Sequence, residues 1–179
     1  MVECPPDELE TDMGLGQRLG LSRYDADEHY KKALMLYQLR ELDKAIIEIG
    51  YAVELLPNNA EYHAARGFFF LEDGIDKEAR KNFEEALKHY AYEMLAHYGL
   101  GMLAYRAKKW EESITHFTQA YHIEPERPET LYYLALAHHH QTNNALALSY
   151  MEQAASVFND QQNKRNAEKW VKELQRLQE

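Results

Sequence analysis

The chain holds one cysteine, Cys4, with five prolines and eight glycines in 179 residues. A single thiol excludes an internal disulfide framework and a zinc site built from several cysteines. So few turn residues argue against a sandwich or barrel of many short strands, which needs a break at every corner. No run approaches the roughly 20 apolar residues that span a bilayer. The first residues have neither the basic start nor the apolar stretch of a signal peptide. Cations are scarce as well, since 20 Lys and Arg stand against 30 Asp and Glu, a net charge of −10. Nucleic acids and anionic membranes both select a cationic face, so neither is an expected partner, and the expected compartment is the cytoplasm. The remaining composition, 45% hydrophobic and 28% charged, is that of a globular chain with a real core.

What the sequence does contain is a copy of itself. Ala45, Ala79, Ser113 and Ala147 are spaced by 34 residues. The same step links Ile49, Phe83, Phe117 and Met151, then Ala52, Ala86, Ala120 and Ala154, then Ala33, Gly67, Gly101 and Ala135. Three of these columns are small and one is large and apolar, with no insertion through four copies. Within one copy Ala45, Ile49, Ala52 and Leu56 share a helical face, and Tyr30, Ala33, Leu34 and Tyr37 share another just before it. The short break between them makes the two helices antiparallel neighbours. Small columns let backbones approach, and the large column fills the space left. One such hairpin cannot bury both faces, whereas a stack of them can.

The period and the columns, with the dipeptide Leu100-Gly101 and the closing prolines Pro57 and Pro125, resemble the tetratricopeptide repeat. The resemblance implies an all-α fold, a right-handed α-solenoid of antiparallel helix pairs. It covers residues 26–161 as four repeats, 26–59, 60–93, 94–127 and 128–161. Where the family has proline, this chain has Ala91 and Asn159. The stretch Leu87 to Glu93 has no breaker, so an almost continuous helix or a very tight turn joins the second and third repeats. Gly99 and Gly101 beyond it supply local backbone freedom. Residues 162–179 place Ala167, Trp170, Leu174 and Leu177 on one stripe and read as a helix that caps the stack, a ninth after two per repeat. Residues 1–25 read as a flexible acidic arm. Eight acids against Arg18 and Arg23 over residues 1–28 give that stretch −6 of the net charge. Met13, Leu15, Leu19 and Leu21 form an apolar patch within the arm, a candidate plug for the chain's own groove or a link to a second copy.

No constellation points to catalysis, and no cofactor is expected. The glycines Gly14, Gly16 and Gly20 resemble a dinucleotide loop, but no strand precedes them and no parallel sheet follows. His138, His139 and His140 are consecutive, so on a helix they diverge by about 100° each and cannot share one ion. His29, His63 and His97 repeat at 34 residues, and helices in equivalent positions lie about 10 Å apart, too far for one metal. Packing is the expected role of that column, and no metal site is predicted. Cys4 has no neighbouring cation or helix terminus to activate it. The pairs Glu84-Glu85 and Glu111-Glu112 read as solvated helix faces.

The resemblance also implies that the first helix of each pair lines a concave groove. The candidate binding residues are Tyr30, Leu34, Tyr37, Phe68, Leu71, Tyr98, Met102, Tyr105, Arg106, Tyr132, Leu136 and His139. The charged positions of the same columns, Asp27, Glu61, Glu72, Glu129 and Arg106, sum to −3. Tyrosine offers broad contact area and a hydroxyl at small entropic cost. The expected device is a non-enzymatic adaptor that holds an apolar peptide or helix of a partner protein carrying some basic residues. The alternative is a scaffold that assembles into homo-oligomers through the arm or the ends of the stack. Co-chaperones of this fold grip acidic chaperone tails with a Lys-Asn-Asn-Lys-Arg clamp. The corresponding positions here are Tyr30, Leu34, Ala65, Leu95 and Gly99, or one repeat on Ala64, Phe68, Gly99, Glu129 and Tyr133. Neither set contains a Lys, Asn or Arg, so that activity is not expected.

Overall fold

The structure, a computed structural model, describes residues 21–178. Cys4, the glycine run 14–20 and the apolar positions Met13, Leu15 and Leu19 lie outside the described residues. The described residues form nine helices and no strand. These are α1 (Leu21–Gln38), α2 (Leu42–Leu55), α3 (Ala60–Glu72), α4 (Asp76–His89), α5 (Met94–Arg106), α6 (Trp110–Ile123), α7 (Pro128–His140), α8 (Asn144–Val157) and α9 (Gln161–Arg176). None is long and apolar enough to cross a membrane. Helix α1 starts at Leu21, so residues 21–25, expected in the arm, are its first turns. No glycine or proline follows Gly20 until Gly50, and Ala26, one turn in, is fully buried.

The packing follows the columns. Ile49, Phe83, Phe117 and Met151 are all fully buried. A Cβ on Gly67 would lie 2.7 Å from Phe83 Cδ1, and one on Gly101 2.7 Å from Phe117 Cδ1. Gly99 also presses on the Phe83 ring, from the following repeat. Gly99 and Gly101 therefore sit inside α5 as packing surfaces, and the expected backbone freedom is not their role. The position of Gly99 one repeat later is Tyr133, whose ring stacks on Phe117 with centroids 6.0 Å apart.

Both kinds of turn also repeat. Inside each pair the left-handed residue is Arg40, Gly74, Lys108 or Thr142, each 34 residues after the last. In each, the following amide reaches back to close the helix, as Glu41 N to Leu36 O at 2.9 Å and Lys109 N to Ala104 O at 2.9 Å. Only one of the four is glycine, so the hydrogen bonds carry a conformation that side chains disfavour. Between pairs, Tyr90 N donates to Ala86 O at 2.9 Å and Glu93 N to Tyr90 O at 3.2 Å, as Leu56 N does to Ala52 O at 3.0 Å and Asn59 N to Leu56 O at 3.1 Å. The second and third repeats are thus joined by the tight turn, without proline. The ring of His97 holds its carbonyl, with Nε2 3.1 Å from Ala91 O, as His63 Nε2 lies 2.8 Å from Pro57 O.

At the far end α9 begins on Asp160, whose carboxylate accepts from the amides of Gln162 and Asn163. It packs on α8 through buried Ala167 and Leu174, with Trp170 and Val171 half-buried beside them. Leu177, expected on the same stripe, is 52% exposed. It is the residue after the last helical turn, where the chain has left the contact face.

Candidate binding groove

The first helices of the pairs form one layer. Helix α3 packs directly on α5, and α5 reaches α7, while the second helices make no comparable contact with one another. A curved stack brings the elements of its inner side together, so α1, α3, α5 and α7 line the concave face.

Their side chains divide into surface and support. Tyr30, Tyr37, Phe68, Met102, Tyr105, Tyr132 and His139 are half-buried, and Leu34 is exposed. Leu71 and Leu136, expected as contact residues, are 1% and 8% exposed and belong to the cores beneath. The helical face alone places them inward, but the neighbouring repeat covers them. Tyr98, at 7% exposure, forms the floor of a cleft, its ring 5.8 Å from Phe117 and 6.4 Å from Tyr133. Arg106 staples two repeats, since Nη1 donates to Leu71 O at 3.0 Å and stands 3.5 Å from Asp76. Tyr37 stacks on Phe69 at 5.2 Å and meets Phe68 edge-on at 5.7 Å.

Two clefts open at opposite ends of this face. The first, of about 850 Å³, lies between the start of α1 and the α2–α3 turn and includes Asp27, Tyr30, Leu34, Leu56, Glu61 and Tyr62. Tyr30 donates its hydroxyl to Glu61 at 2.9 Å, and Tyr62 donates to Asp27. The two rings lie 5.0 Å apart. Burial, then the Glu61 carboxylate, pushes the Tyr30 hydroxyl pKa well up, and burial with the Asp27 bond does the same for Tyr62. Glu93, at the head of α5, is also shifted up, by burial and by the nearby charges of Glu61 and Glu124. Among the described residues none of Asp27, Glu61 and Glu93 forms a salt bridge. Arg23 and Lys31 also line this cleft, and Lys31 is engaged 3.0 Å from Glu28.

The second cleft, of about 380 Å³, is lined by Tyr98, Glu129, Tyr132, Tyr133, Phe158, Asn163 and Asn166. It continues into a shallow hollow with Lys169 and Trp170 beyond Tyr132. Arg127 stands 3.6 Å from Glu129 and 3.8 Å from Glu124, with its guanidinium 5.4 Å from the Tyr98 ring centre. Sequence reasoning missed Tyr133, Glu93, Asn163 and Asn166. Tyr133 could have been found as the one large residue in a column of Ala65, Gly99 and Ala167. The amides come from α9, whose sequence signals only the apolar stripe of a cap.

The histidines are dispersed. His138 stacks on Tyr150 at 5.7 Å, His139 Nδ1 lies 2.9 Å from Asn144, and His140 stacks on Trp110 at 4.1 Å. Among the described residues no three His, Cys, Asp or Glu side chains gather as a metal site would require.

The fold is that of several solved structures. PilF of Pseudomonas aeruginosa superposes with a TM-score of 0.72 at 21% identity, over 85% of this chain and 71% of that one. MamA gives 0.64 at 15% identity, over 87% and 95%. The first tetratricopeptide domain of Spaghetti (RPAP3), solved with the HSP90 peptide SRMEEVD, gives 0.62 at 16% identity, over 66% and 94%. At such identities the likeness is one of fold. No curated protein matches the chain. The tetratricopeptide repeat profile matches residues 77–128 and 109–166, together half of the sequence, and the chain belongs to that family.

Proposed function

We propose that the protein is a binding module whose concave face holds a peptide or helix of another protein, as an adaptor without chemistry of its own. The observation that carries this reading is the row of half-buried aromatic and aliphatic side chains, Tyr30, Phe68, Met102, Tyr105 and Tyr132, with the carboxylates of Asp27, Glu61 and Glu93, which form no salt bridge among the described residues, at one end of it. An apolar face of this kind binds apolar side chains, and the carboxylates select Lys or Arg next to them. The Spaghetti neighbour holds an acidic peptide. This groove is itself acidic and lacks the clamp residues, so like charges oppose such a ligand here. Capture from the native source by the full chain, in parallel with Tyr105→Ala/Tyr132→Ala, tests the reading. The variant is expected to keep its helicity and to lose the partner, since aromatic anchors typically cost about 2 kcal/mol or more when truncated. A partner retained at equal affinity would move the site off the concave face.

A second reading is self-assembly through the end and the outer face of the first repeat. Met35 is 52% exposed, whereas Phe69 and Leu103 in its column are 1% and 4% exposed. Ile47 and Tyr51 are 55% and 47% exposed, and the later copies carry Lys81 and Glu85, Thr115 and Gln119, Ser149 and Gln153 at those positions. Only the first repeat turns apolar side chains outward there.

A further inference from the structure

We infer that residues 13–19 run back along the open side of α1 as an extended segment, so that the chain covers the start of its own stack. The inference goes beyond the binding reading, because the covered side is not the groove. Tyr30 and Tyr37, which α1 gives to the concave face, lie on the opposite side of that helix.

Tyr24, Met35 and Leu39 are 65%, 52% and 61% exposed. With Glu28, Lys31 and Lys32 they form one stripe of α1, turned away from the buried Ala26 and Ala33. In the later copies the preceding repeat covers this side. Phe69, in the place of Met35, is buried under the stacked ring of Tyr37, with centroids 5.2 Å apart. Asp73, Ala107 and Gln141 stand where the first repeat has Leu39. Among the described residues no element precedes α1 to cover its stripe.

The segment before α1 matches that stripe in period, length and charge. Met13, Leu15 and Leu19 stand at odd positions, and Gly14, Gly16 and Gly20 at even ones. Apolar side chains at a period of two give an extended chain one apolar face, and the glycines disfavour a helix. An extended chain gains about 3.3 Å per residue, and a helix about 1.5 Å. Counted back from Leu21, Leu19 reaches the level of Tyr24, Leu15 that of Met35 and Met13 that of Leu39. The order of charges agrees. Asp25 and Glu28 lie toward the start of α1, and Lys31, Lys32 and Arg40 toward and just past its end. The reversed segment brings Arg18 to the first group and Asp12, Glu10 and Glu8 to the second. Lys31 and Lys32 already pair with Glu28 and Glu48, but Arg40 forms no salt bridge among the described residues. Leu19 is two residues from Leu21, so the tether holds the segment near α1 at an effective concentration on the order of millimolar, above that of a second copy.

The test places a photo-crosslinking residue at position 15 of the full chain. It is expected to label α1 of the same chain, around Met35 and Leu39. Labelling of α3, α5 or α7 would make the segment a plug of the groove and overturns the inference. Labelling of a second chain, or no labelling, overturns it as well. A second measurement leaves the segment in place and reads the surface beneath it, as the rate at which dilute peroxide oxidises the Met35 sulfur. A cover seated about four-fifths of the time slows that rate about fivefold. Leu15→Ser/Leu19→Ser, which alters no residue of the repeats, is therefore expected to raise the Met35 rate about fivefold over the parent. Equal rates in parent and variant overturn the cover.

Discussion

The two ends of this stack are closed in different ways. At the end of the fourth repeat, helix α9 lays Ala167, Trp170, Val171 and Leu174 over Met151 and Phe158 and turns a polar face outward. At the start of the first repeat nothing comparable is present among the described residues. There α1 carries Glu28 where the later copies bury Tyr62, Ala96 and Thr130, and Lys32 where the third and fourth bury Leu100 and Leu134 and the second has half-buried Arg66. Lys31 pairs with Glu28 at 3.0 Å, and Lys32 with Glu48 at 2.7 Å. A repeat interface is thus made solvent-compatible by adding an amphipathic helix at one end and by substituting charge into the column at the other. The second solution is incomplete, since Met35 remains exposed where its counterparts Phe69 and Leu103 are buried.

The largest expected effect comes from removing the added helix. Deleting residues 162–179 strips the cover from Met151 and Phe158 and from half-buried Tyr150 and Val157. The lost burial of Leu174, Trp170, Val171 and Ala167 amounts to roughly 5 kcal/mol. The truncated chain is expected to aggregate or dimerise and to melt earlier, read by light scattering and circular dichroism. A monomer of unchanged stability would mean that the terminal helix is not a cap. Charge substitutions at the other end have no such reserve to lose.

Glycines sharpen the same contrast between interior and end. Gly101→Leu must displace the Phe117 ring, 2.7 Å from where its Cβ would sit, and is expected to cost about 1–3 kcal/mol. Gly50 lies inside α2, where a Cβ meets nothing within 4 Å. Gly50→Ala is expected to gain up to about 1 kcal/mol, because alanine restores helix propensity without a clash. Denaturation midpoints for the two variants should move in opposite directions. A midpoint unmoved by Gly101→Leu would contradict the close approach of α5 and α6.

These glycines also show what the sequence can and cannot disclose. Gly101 was legible because it repeats in a small column. Gly99 was not, because its column mixes Ala65, Gly99, Tyr133 and Ala167, and only the structure reveals Phe83 pressing on it. The fold is written in periodic identities that survive four copies. The groove is harder to read, since a helical face gives direction and not cover. Leu71 and Leu136 point inward like Phe68, yet neighbouring repeats bury them. The turn at Ala91 was ambiguous for a similar reason, because its support is the His97 ring, six residues downstream, in place of a proline.

A smaller effect, confined to the later repeats, is expected in acid. Burial depresses the His116 pKa, aided by the His97 ring 5.8 Å away and by Arg80, while Glu112 opposes the shift. Burial likewise depresses His138, stacked on Tyr150, and His140, where His139 and Lys108 add to it. A histidine whose folded pKa lies below its unfolded value of 6.5 binds its proton more readily when unfolded. Its contribution is therefore present above that pH and is lost as pH falls through it toward the folded pKa. Protection from hydrogen exchange, taken relative to the intrinsic rate at each pH, is expected to fall in α6 and α7 between about pH 6.5 and 5 before it does in α2 and α3. Uniform acid sensitivity along the chain would contradict this placement.

The smallest effect on stability concerns the outer face of the first repeat, and it separates the two functional readings. Ile47→Lys/Tyr51→Glu gives the first repeat the residues that the second already carries, Lys81 and Glu85. Both positions are about half exposed, at 55% and 47%. The Tyr51 ring lies against that of His29, with centroids 5.2 Å apart. Losing it and adding a surface pair one turn apart should leave the denaturation midpoint within about 0.5 kcal/mol of the parent. Molar mass is the sensitive readout. If this outer face joins two copies, light scattering should show the parent self-associating at micromolar concentration and the variant monomeric. Capture of a partner by the concave face should be the same for both, because neither residue lies on a first helix of a pair. A parent that is monomeric at every concentration removes the self-assembly reading and leaves the groove. A variant that stays monomeric and folded yet loses the partner would place the binding surface on the outer face of the first repeat, where its apolar residues depart from those of the other three.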